Sequence, residues 1–161
     1  MVISVFDVAN YFLYKSAPGT LNAVTHLKLQ KLAYYAQAWH YTILRKPLFN
    51  EEIEAWVHGP VCPVLYNEFR DYGYEVIPVP RKRVMADLHS IMKHHPEVEA
   101  LLEFVWDLYG KHTGKELEDL THREDPWKRA RKNISESEPS NNIITLDSMR
   151  KYYKKFLTGV K

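Results

Sequence analysis

The stretch THLKLQKLAYYAQAWHYTILRK, residues 25–46, decides how the rest of the chain folds. It predicts one helix of about twenty residues, roughly 30 Å long at the standard rise per residue. Thr25 is of a type preferred at a helix N-cap, and Pro47 ends the helix because proline has no backbone N–H to donate. In a chain of 161 residues, a helix of this length is predicted to lie at the centre of the fold.

Apolar side chains recur on two faces of this helix when residues are placed at 100° steps. The first face comprises Leu29, Leu32, Ala36, Trp39 and Ile43, and the second comprises Leu27, Tyr34, Ala38 and Tyr41. A helix with two apolar faces is buried by its neighbours. We expect five residues to be left for solvent, namely Lys28, Lys31, Tyr35, Thr42 and Lys46.

Polar side chains form a third row between the two apolar faces, at His26, Gln30, Gln37 and His40. Such groups need hydrogen-bond partners where water is scarce. They either bond to neighbouring backbone and hold the helix in register, or they form part of a binding seam. The pattern leaves both interpretations open.

The composition is typical of one compact domain, and we predict that residues 1–161 form a single domain with a sizeable core, since 45% of the residues are hydrophobic. The sequence has neither a signal peptide nor an apolar run of membrane-spanning length, which predicts a cytoplasmic protein without membrane contact. One cysteine, Cys62, excludes an internal disulfide or a multi-cysteine zinc site. A net charge of +2 is too small to indicate nucleic-acid binding by itself.

The remaining pattern predicts a mainly α fold of the α+β type, in which a compact helical domain surrounds the long central helix and carries a small two-stranded β-ribbon. Caps and breakers place further helices at residues 4–16, 63–71, 86–93 and 96–109, and others starting at 113, 125 and 145. The ribbon would pair residues 53–58 with residues 74–79. The segment SESEPSNN, residues 135–142, is predicted to be a mobile loop.

A first corner follows the strand at Trp56, His58, Gly59 and Pro60. In a structural interpretation, Gly59 and Pro60 make the turn while Trp56 packs beneath it. In a functional interpretation, Trp56 beside His58 on a rigid corner is typical of a hot spot for a protein partner. Both interpretations stay open.

A second corner lies at Thr121, His122, Asp125, Pro126 and Trp127. Here the structural interpretation is that Thr121 and Asp125 cap the following helix while Trp127 anchors the corner to the core. The alternative is direct contact of His122 and Trp127 with a partner.

Catalytic and metal chemistry find little support in the sequence. His26 and His40 would lie about 21 Å apart on one helix, too far to share an ion. Cys62 and His58 could be a nucleophile and its base, but flanking prolines and the lack of an orienting acid favour a small buried cysteine. No phosphate-binding or hydrolase motif occurs. We therefore expect no enzymatic activity, no cofactor and no metal.

Four motifs together resemble one known family, the Panacea or SocA-like antitoxin domain found in phage-associated and toxin–antitoxin proteins. They are LKLQKLAYYAQAW at 27–39, KPLF at 46–49, IEAWVHGPV at 53–61 and LTHREDPW at 120–127, with Tyr66 and Phe69 between the last two. In this order and spacing the resemblance spans roughly residues 5–156. We take its structural residues to be Thr25, Leu29, Gly59, Pro60, Thr121, Asp125 and Pro126.

The resemblance implies a mostly helical domain that neutralises a toxin protein encoded beside it by direct contact. Our candidates for the contact surface are Gln30, Gln37, Trp56, His58, His122 and Trp127. One alternative that the family implies is an adaptor that delivers the toxin or another client to a protease. Another is a nucleic-acid-binding regulator that uses the basic runs at 81–83 and 128–132, although this chain has no room for the extra DNA-binding segment of many relatives.

Overall fold

The computed structural model describes residues 2–158, and a mainly α fold with one small antiparallel sheet is observed there, as predicted. The elements are α1 (Val5–Lys15), α2 (His26–Leu44), β1 (Glu54–Trp56), β2 (Gly59–Val61), α3 (Pro63–Phe69), a 3-10 turn (Arg70–Tyr72), α4 (Lys82–Lys93), α5 (Pro96–Tyr109), α6 (Gly114–Arg123), α7 (Asp125–Ala130) and α8 (Leu146–Thr158). None of these helices is long and apolar enough to cross a bilayer.

Helix α2 is the predicted central helix, and α1, α3, α5, α6, α8 and β2 all pack against it. Thr25 caps it, because its hydroxyl accepts a hydrogen bond from the Lys28 backbone N–H at 3.3 Å. The helix ends where Arg45 takes a left-handed conformation with φ 63°, two residues before Pro47. Both ends of the helix therefore follow from local chemistry, as predicted.

The prediction of which α2 residues face solvent is wrong. Of the five residues assigned to solvent only Lys46 is exposed, whereas four are buried, namely Lys28, Lys31, Tyr35 and Thr42. Neighbouring elements surround α2, and the long lysine side chains reach backbone carbonyls instead of water. The Lys28 ammonium donates to the carbonyl oxygens of Leu21 and Gly110. Ile43, which was assigned to an apolar face, is 41% exposed near the end of the helix.

Capping boxes begin two other helices as the sequence predicts. The Ser4 hydroxyl accepts from the Asp7 backbone N–H while the Asp7 carboxylate accepts from the Ser4 N–H. Thr113 and Glu116 make the same reciprocal pair at the start of α6. Such pairs satisfy backbone donors that a helix end leaves free.

The capping predicted for α7 is wrong. The Thr121 hydroxyl lies inside α6 and donates back to the Glu118 carbonyl at 2.8 Å, and Asp125 is the first residue of α7 rather than its N-cap. Glu124 occupies the N-cap position and makes no side-chain cap bond, while Pro126 lies in the first turn of α7. A proline in the first turn removes a donor that would otherwise need a partner.

The predicted strand pairing is also wrong. β1 pairs with β2, in the register Glu54 to Val61 and Trp56 to Gly59. Gly59 has φ 104°, which only glycine adopts easily, so the chain reverses directly after the first strand. The predicted partner segment, residues 74–79, lies instead beside the residues that precede α2. There the Ile77 N–H donates to the Val24 carbonyl at 3.0 Å.

Candidate partner-binding cleft

A cleft of about 1190 Å³ opens on one side of the central helix. The first half of α2 forms its floor, and the β1–β2 hairpin, α3 with the 3-10 turn, and α6 form its walls. Residues 139–141, within the predicted loop, complete the rim. The cleft is thus built from segments far apart in sequence.

Helix α2 holds the β2 strand from below through two polar side chains. The Gln30 carbonyl oxygen accepts from the Cys62 backbone N–H at 2.9 Å. The Lys31 ammonium donates to the Pro60 carbonyl at 3.2 Å. These bonds fix the strand against the helix, because each is buried and its loss would leave a backbone group without a partner.

The region around α7 holds the β1 strand from the other side. The Trp127 indole Nε1 donates to the Trp56 carbonyl at 2.8 Å, and the Arg131 guanidinium donates to the Ala55 carbonyl at 2.9 Å. Arg131 also donates to the Ser135 carbonyl and so ties the following loop to the hairpin. Hydrogen bonds within the chain therefore hold both strands of the hairpin in place.

His26 lies on the cleft floor in a defined tautomer. Because the Cys62 N–H donates to the Gln30 carbonyl oxygen, the Gln30 amide nitrogen must be the donor to His26 Nε2, 3.0 Å away. His26 therefore carries its proton on Nδ1. Burial, with a smaller contribution from the nearby Lys31 charge, lowers the pKa of His26 to about 4, so the ring is neutral at pH 7.

Lys31 is fully buried beneath the cleft floor. Burial lowers the pKa of its ammonium to about 7, and the charge of Glu118 opposes this shift. Gly59 lies against it so closely that a Cβ at this position would come within 2.7 Å of Lys31 Cε and 2.9 Å of Thr121 Oγ1. Residue 59 must therefore be glycine for its contacts as well as for its φ angle.

A buried carboxylate stands at the α6 end of the cleft. Glu118 Oε2 lies 3.2 Å from His58 Nδ1 and 3.5 Å from the Lys115 ammonium. The side chains of His58 and Lys115 are 74% and 70% exposed, whereas that of Glu118 is 7% exposed. This end of the cleft therefore has exposed nitrogen groups around a buried acid.

Aromatic rings line the opposite wall. The Tyr66 ring centroid lies 4.9 Å from those of both His26 and Trp56. The Trp56 indole N–H donates to Glu54 Oε1 at 2.8 Å, which fixes the ring. Tyr74, 96% exposed, stands on the rim. Rigid aromatic side chains beside polar groups are typical of the residues that dominate protein interfaces.

Three of the six predicted contact residues line this cleft, namely Gln30, Trp56 and His58. Gln37 lies elsewhere and holds the loop after α2, since its amide nitrogen donates to the Phe49 carbonyl and its oxygen accepts from the Leu48 N–H, both at 2.7 Å. Both glutamines of the polar row thus hold neighbouring segments through hydrogen bonds, and only Gln30 also lines the cleft.

His122 and Trp127 lie behind the hairpin rather than in the cleft. Their rings stack with centroids 4.1 Å apart, and Trp127 is buried. Burial lowers the pKa of His122, and its buried Nε2 has no hydrogen-bond partner within the part of the chain that is described. Trp127 anchors its corner to the core, as the structural interpretation predicts.

Sequence reasoning missed five cleft residues, namely Tyr66, Arg70, Tyr74, Lys115 and Glu118. A signal for some of them was present. Tyr66 and Arg70 are four residues apart in a predicted helical segment, and Lys115 and Glu118 are three apart, so each pair shares a helix face. What periodicity cannot supply is which faces of separate helices meet.

The geometry offers little to a catalytic interpretation of Cys62. Its thiol is buried, and burial raises its pKa, which disfavours the reactive thiolate. Between residues 2 and 158, no three His, Cys, Asp or Glu side chains lie close enough together to hold a metal ion.

The chain is thus a small, mainly α protein in which a hairpin held by hydrogen bonds and an aromatic cleft lie beside the central helix. The chain belongs to the antitoxin SocA-like family, Panacea domain, whose model matches residues 29–128. It is similar to the antitoxin SocA of Caulobacter vibrioides (strain NA1000 / CB15N), with 31% identity over 125 residues. That match covers 74% of this chain and 66% of the relative, slightly under two thirds of its length. No solved structure matches the chain significantly.

Proposed function

We propose that this protein is an antitoxin that binds a cognate toxin protein directly and stoichiometrically, with the aromatic cleft as its contact surface. The observation that carries the proposal is the hairpin, whose backbone is held by Gln30, Lys31, Trp127 and Arg131 while Trp56 faces the cleft. We further propose that residues 1–161 act as one domain in the cytoplasm.

Preorganisation is the physical reason that this cleft suits a tight complex. Association costs free energy for ordering loops and side chains, and a surface that is already ordered avoids part of that cost. Trp56 and Tyr66 offer large ring surfaces held in place by the Glu54 hydrogen bond and by each other. Truncating such aromatic anchors typically costs about 2 kcal/mol or more of binding free energy each.

The family supports the same conclusion independently of the geometry. The similar protein in Caulobacter vibrioides is named an antitoxin, and the match includes most of this chain. Because the chain spans 66% of that relative, the function of the whole relative is carried over here only as a proposal.

Co-expression with the product of the neighbouring reading frame tests the proposal. The wild-type chain should restore growth to cells that express a toxic neighbour, and the two proteins should co-purify. The double variant Trp56→Ala, Tyr66→Ala should fail to protect. Tyr14→Ala is the matched control, because Tyr14 is an exposed aromatic on α1, outside the cleft.

Two results of this experiment would contradict the proposal. A toxic neighbour that kills cells as fast with the wild-type chain as without it contradicts neutralisation. A folded cleft variant that protects as well as wild type contradicts the assignment of the contact surface. Toxin half-life in the same cells separates the two modes of action, because direct inhibition predicts a stable complex and delivery to a protease predicts faster loss of the toxin.

A further inference from the structure

We propose that the cleft recognises a carboxylate on the toxin, set beside an aromatic or aliphatic side chain that packs on Trp56 and Tyr66. This inference rests on the proposed function, since it takes the cleft as the toxin-binding surface. It names the chemistry that the bound segment must have.

Several hydrogen-bond donors that line the cleft have no acceptor within the described part of the chain. Within the described chain, His26 Nδ1–H, the Tyr66 hydroxyl and the Arg70 guanidinium make no hydrogen bond, and Arg70 makes no ion pair. Lys31 is fully buried and donates to the Pro60 carbonyl, so it is not counted among these donors. A cleft of this kind is completed by a group that accepts several hydrogen bonds.

The two carboxylates that line the cleft each have a partner within the chain. Glu54 accepts from the Trp56 indole, and Glu118 lies within ion-pair distance of both His58 and Lys115. A partner that brings an acceptor meets donors that have no existing bond to give up.

The exposed guanidinium of Arg70 is positively charged and therefore favours an acceptor with a negative charge. Guanidinium and carboxylate match in geometry and form two parallel charge-assisted hydrogen bonds. Phosphate matches a guanidinium equally well, so the choice between the two rests on the proposed function, under which the partner is a protein and the anion that it brings is a carboxylate.

The apolar and aromatic walls of the cleft indicate which kind of side chain lies beside the carboxylate. Trp56 and Tyr66 present rings with centroids 4.9 Å apart, and Leu27, Val57 and Val61 add apolar surface. The volume of about 1190 Å³ exceeds the usual range for a small-molecule site, roughly 300–1,000 Å³. A peptide segment with one apolar and one acidic residue therefore fills the cleft better than a small metabolite.

Three blocked dipeptides test the inference without the toxin. N-acetyl-Glu-Phe-amide carries a side-chain carboxylate, N-acetyl-Gln-Phe with a free C-terminus carries a terminal one, and N-acetyl-Gln-Phe-amide is neutral. Binding is followed by NMR at the Trp56 indole N–H and the Gly59 amide. At least one acidic peptide should bind about tenfold more tightly than the neutral one, and the tighter acidic peptide identifies the source of the carboxylate.

Arg70→Gln should reduce the affinity of the acidic peptide to that of the neutral one. Arg83→Gln, an exposed arginine on α4 outside the cleft, is the control and should change nothing. Equal binding of all three peptides, shifts confined to residues outside the cleft, or no binding would overturn the proposal. Tighter binding of adenosine monophosphate than of either acidic peptide would overturn it in favour of a nucleotide.

Toxin neutralisation separates this inference from the proposed function. If Arg70→Gln protects cells as well as wild type while Trp56→Ala, Tyr66→Ala does not, the carboxylate inference fails and the cleft remains the toxin-binding surface. If all these variants protect as well as wild type, the proposed contact surface fails as well.

Discussion

The indole Nε1 of Trp127 donates a hydrogen bond to the backbone carbonyl of Trp56 at 2.8 Å, joining residues 71 apart in sequence. Trp127 is buried behind the hairpin, whereas Trp56 is partly exposed and lines the cleft. The two corners that the sequence suggests are thus one unit, in which the first tryptophan supports the second.

Substitution of Trp127 by Phe should destabilise the fold. The phenyl ring fills only part of the space of the indole and the Trp56 carbonyl loses its donor, and the lost hydrogen bond alone costs about 1–3 kcal/mol of unfolding free energy. Urea denaturation measures this. Trp56→Phe is the control, because it removes only a partly exposed bond to Glu54 and should cost less than about 1 kcal/mol. Equal losses for the two variants would refute the supporting role of Trp127.

Substitution of Gly59 by Ala should cost about 2–5 kcal/mol, combining left-handed backbone strain with overpacking. The added Cβ would meet Lys31 Cε at 2.7 Å, and φ is 104°. Gly73→Ala is a matched control, since Gly73 also has positive φ but open space around it, so strain alone should cost about 1–2 kcal/mol. Thermal or urea unfolding compares them, and an equally mild effect at both sites would contradict the close approach.

Substitution of Lys31 by Met should change how stability depends on pH. Burial lowers the folded-state pKa of Lys31 to about 7, below the 10.5 of an ordinary lysine. Between these values the unfolded chain holds a proton that the folded chain lacks, so the wild-type unfolding free energy rises with pH. Met removes this term, and its stability relative to wild type should therefore be greatest below pH 7 and should fall towards pH 10.5. A difference that stays constant from pH 7 to 10 would show that the ammonium is not buried.

Substitution of Gln37 by Leu separates the structural from the binding interpretation of the polar row. The Leu48 N–H and the Phe49 carbonyl each lose a partner, at a cost of about 1–3 kcal/mol per buried group. Toxin affinity, measured by titration at a temperature where the variant is folded, should remain within about threefold of wild type. A large loss of affinity in a fully folded variant would return Gln37 to the contact surface.

Helix ends were the most predictable part of the fold, because their chemistry is local. Ser4 with Asp7 and Thr113 with Glu116 stand three residues apart, and each pair forms the expected capping box. The same holds for Thr25 at the start of α2. In each case the partners are neighbours in sequence, so no knowledge of the tertiary structure is needed.

Burial of Lys31 could not be predicted, because helical periodicity assigns a lysine to solvent by its charge. Its acceptor is the Pro60 carbonyl, 29 residues away, and only the folded chain brings the two together. The strand pairing failed for a related reason. Alternation suggested residues 74–79 as the partner, whereas the observed partner follows directly in the chain because Gly59 adopts a positive φ.

Only some of the residues that line the cleft could be predicted from the sequence. Trp56 and His58 could be assigned to one side of a strand because side chains alternate along it, and both line the cleft. Tyr66 and Arg70 could not be added to them, because nothing in the local pattern says that the hairpin and α3 face the same space.

Isothermal titration of the purified protein with the purified product of the neighbouring reading frame tests the central claim most directly. We predict a one-to-one complex whose Kd rises about a thousandfold in the variant Trp56→Ala, Tyr66→Ala and changes less than about threefold in Tyr14→Ala. A folded double variant that binds with the wild-type Kd would contradict it.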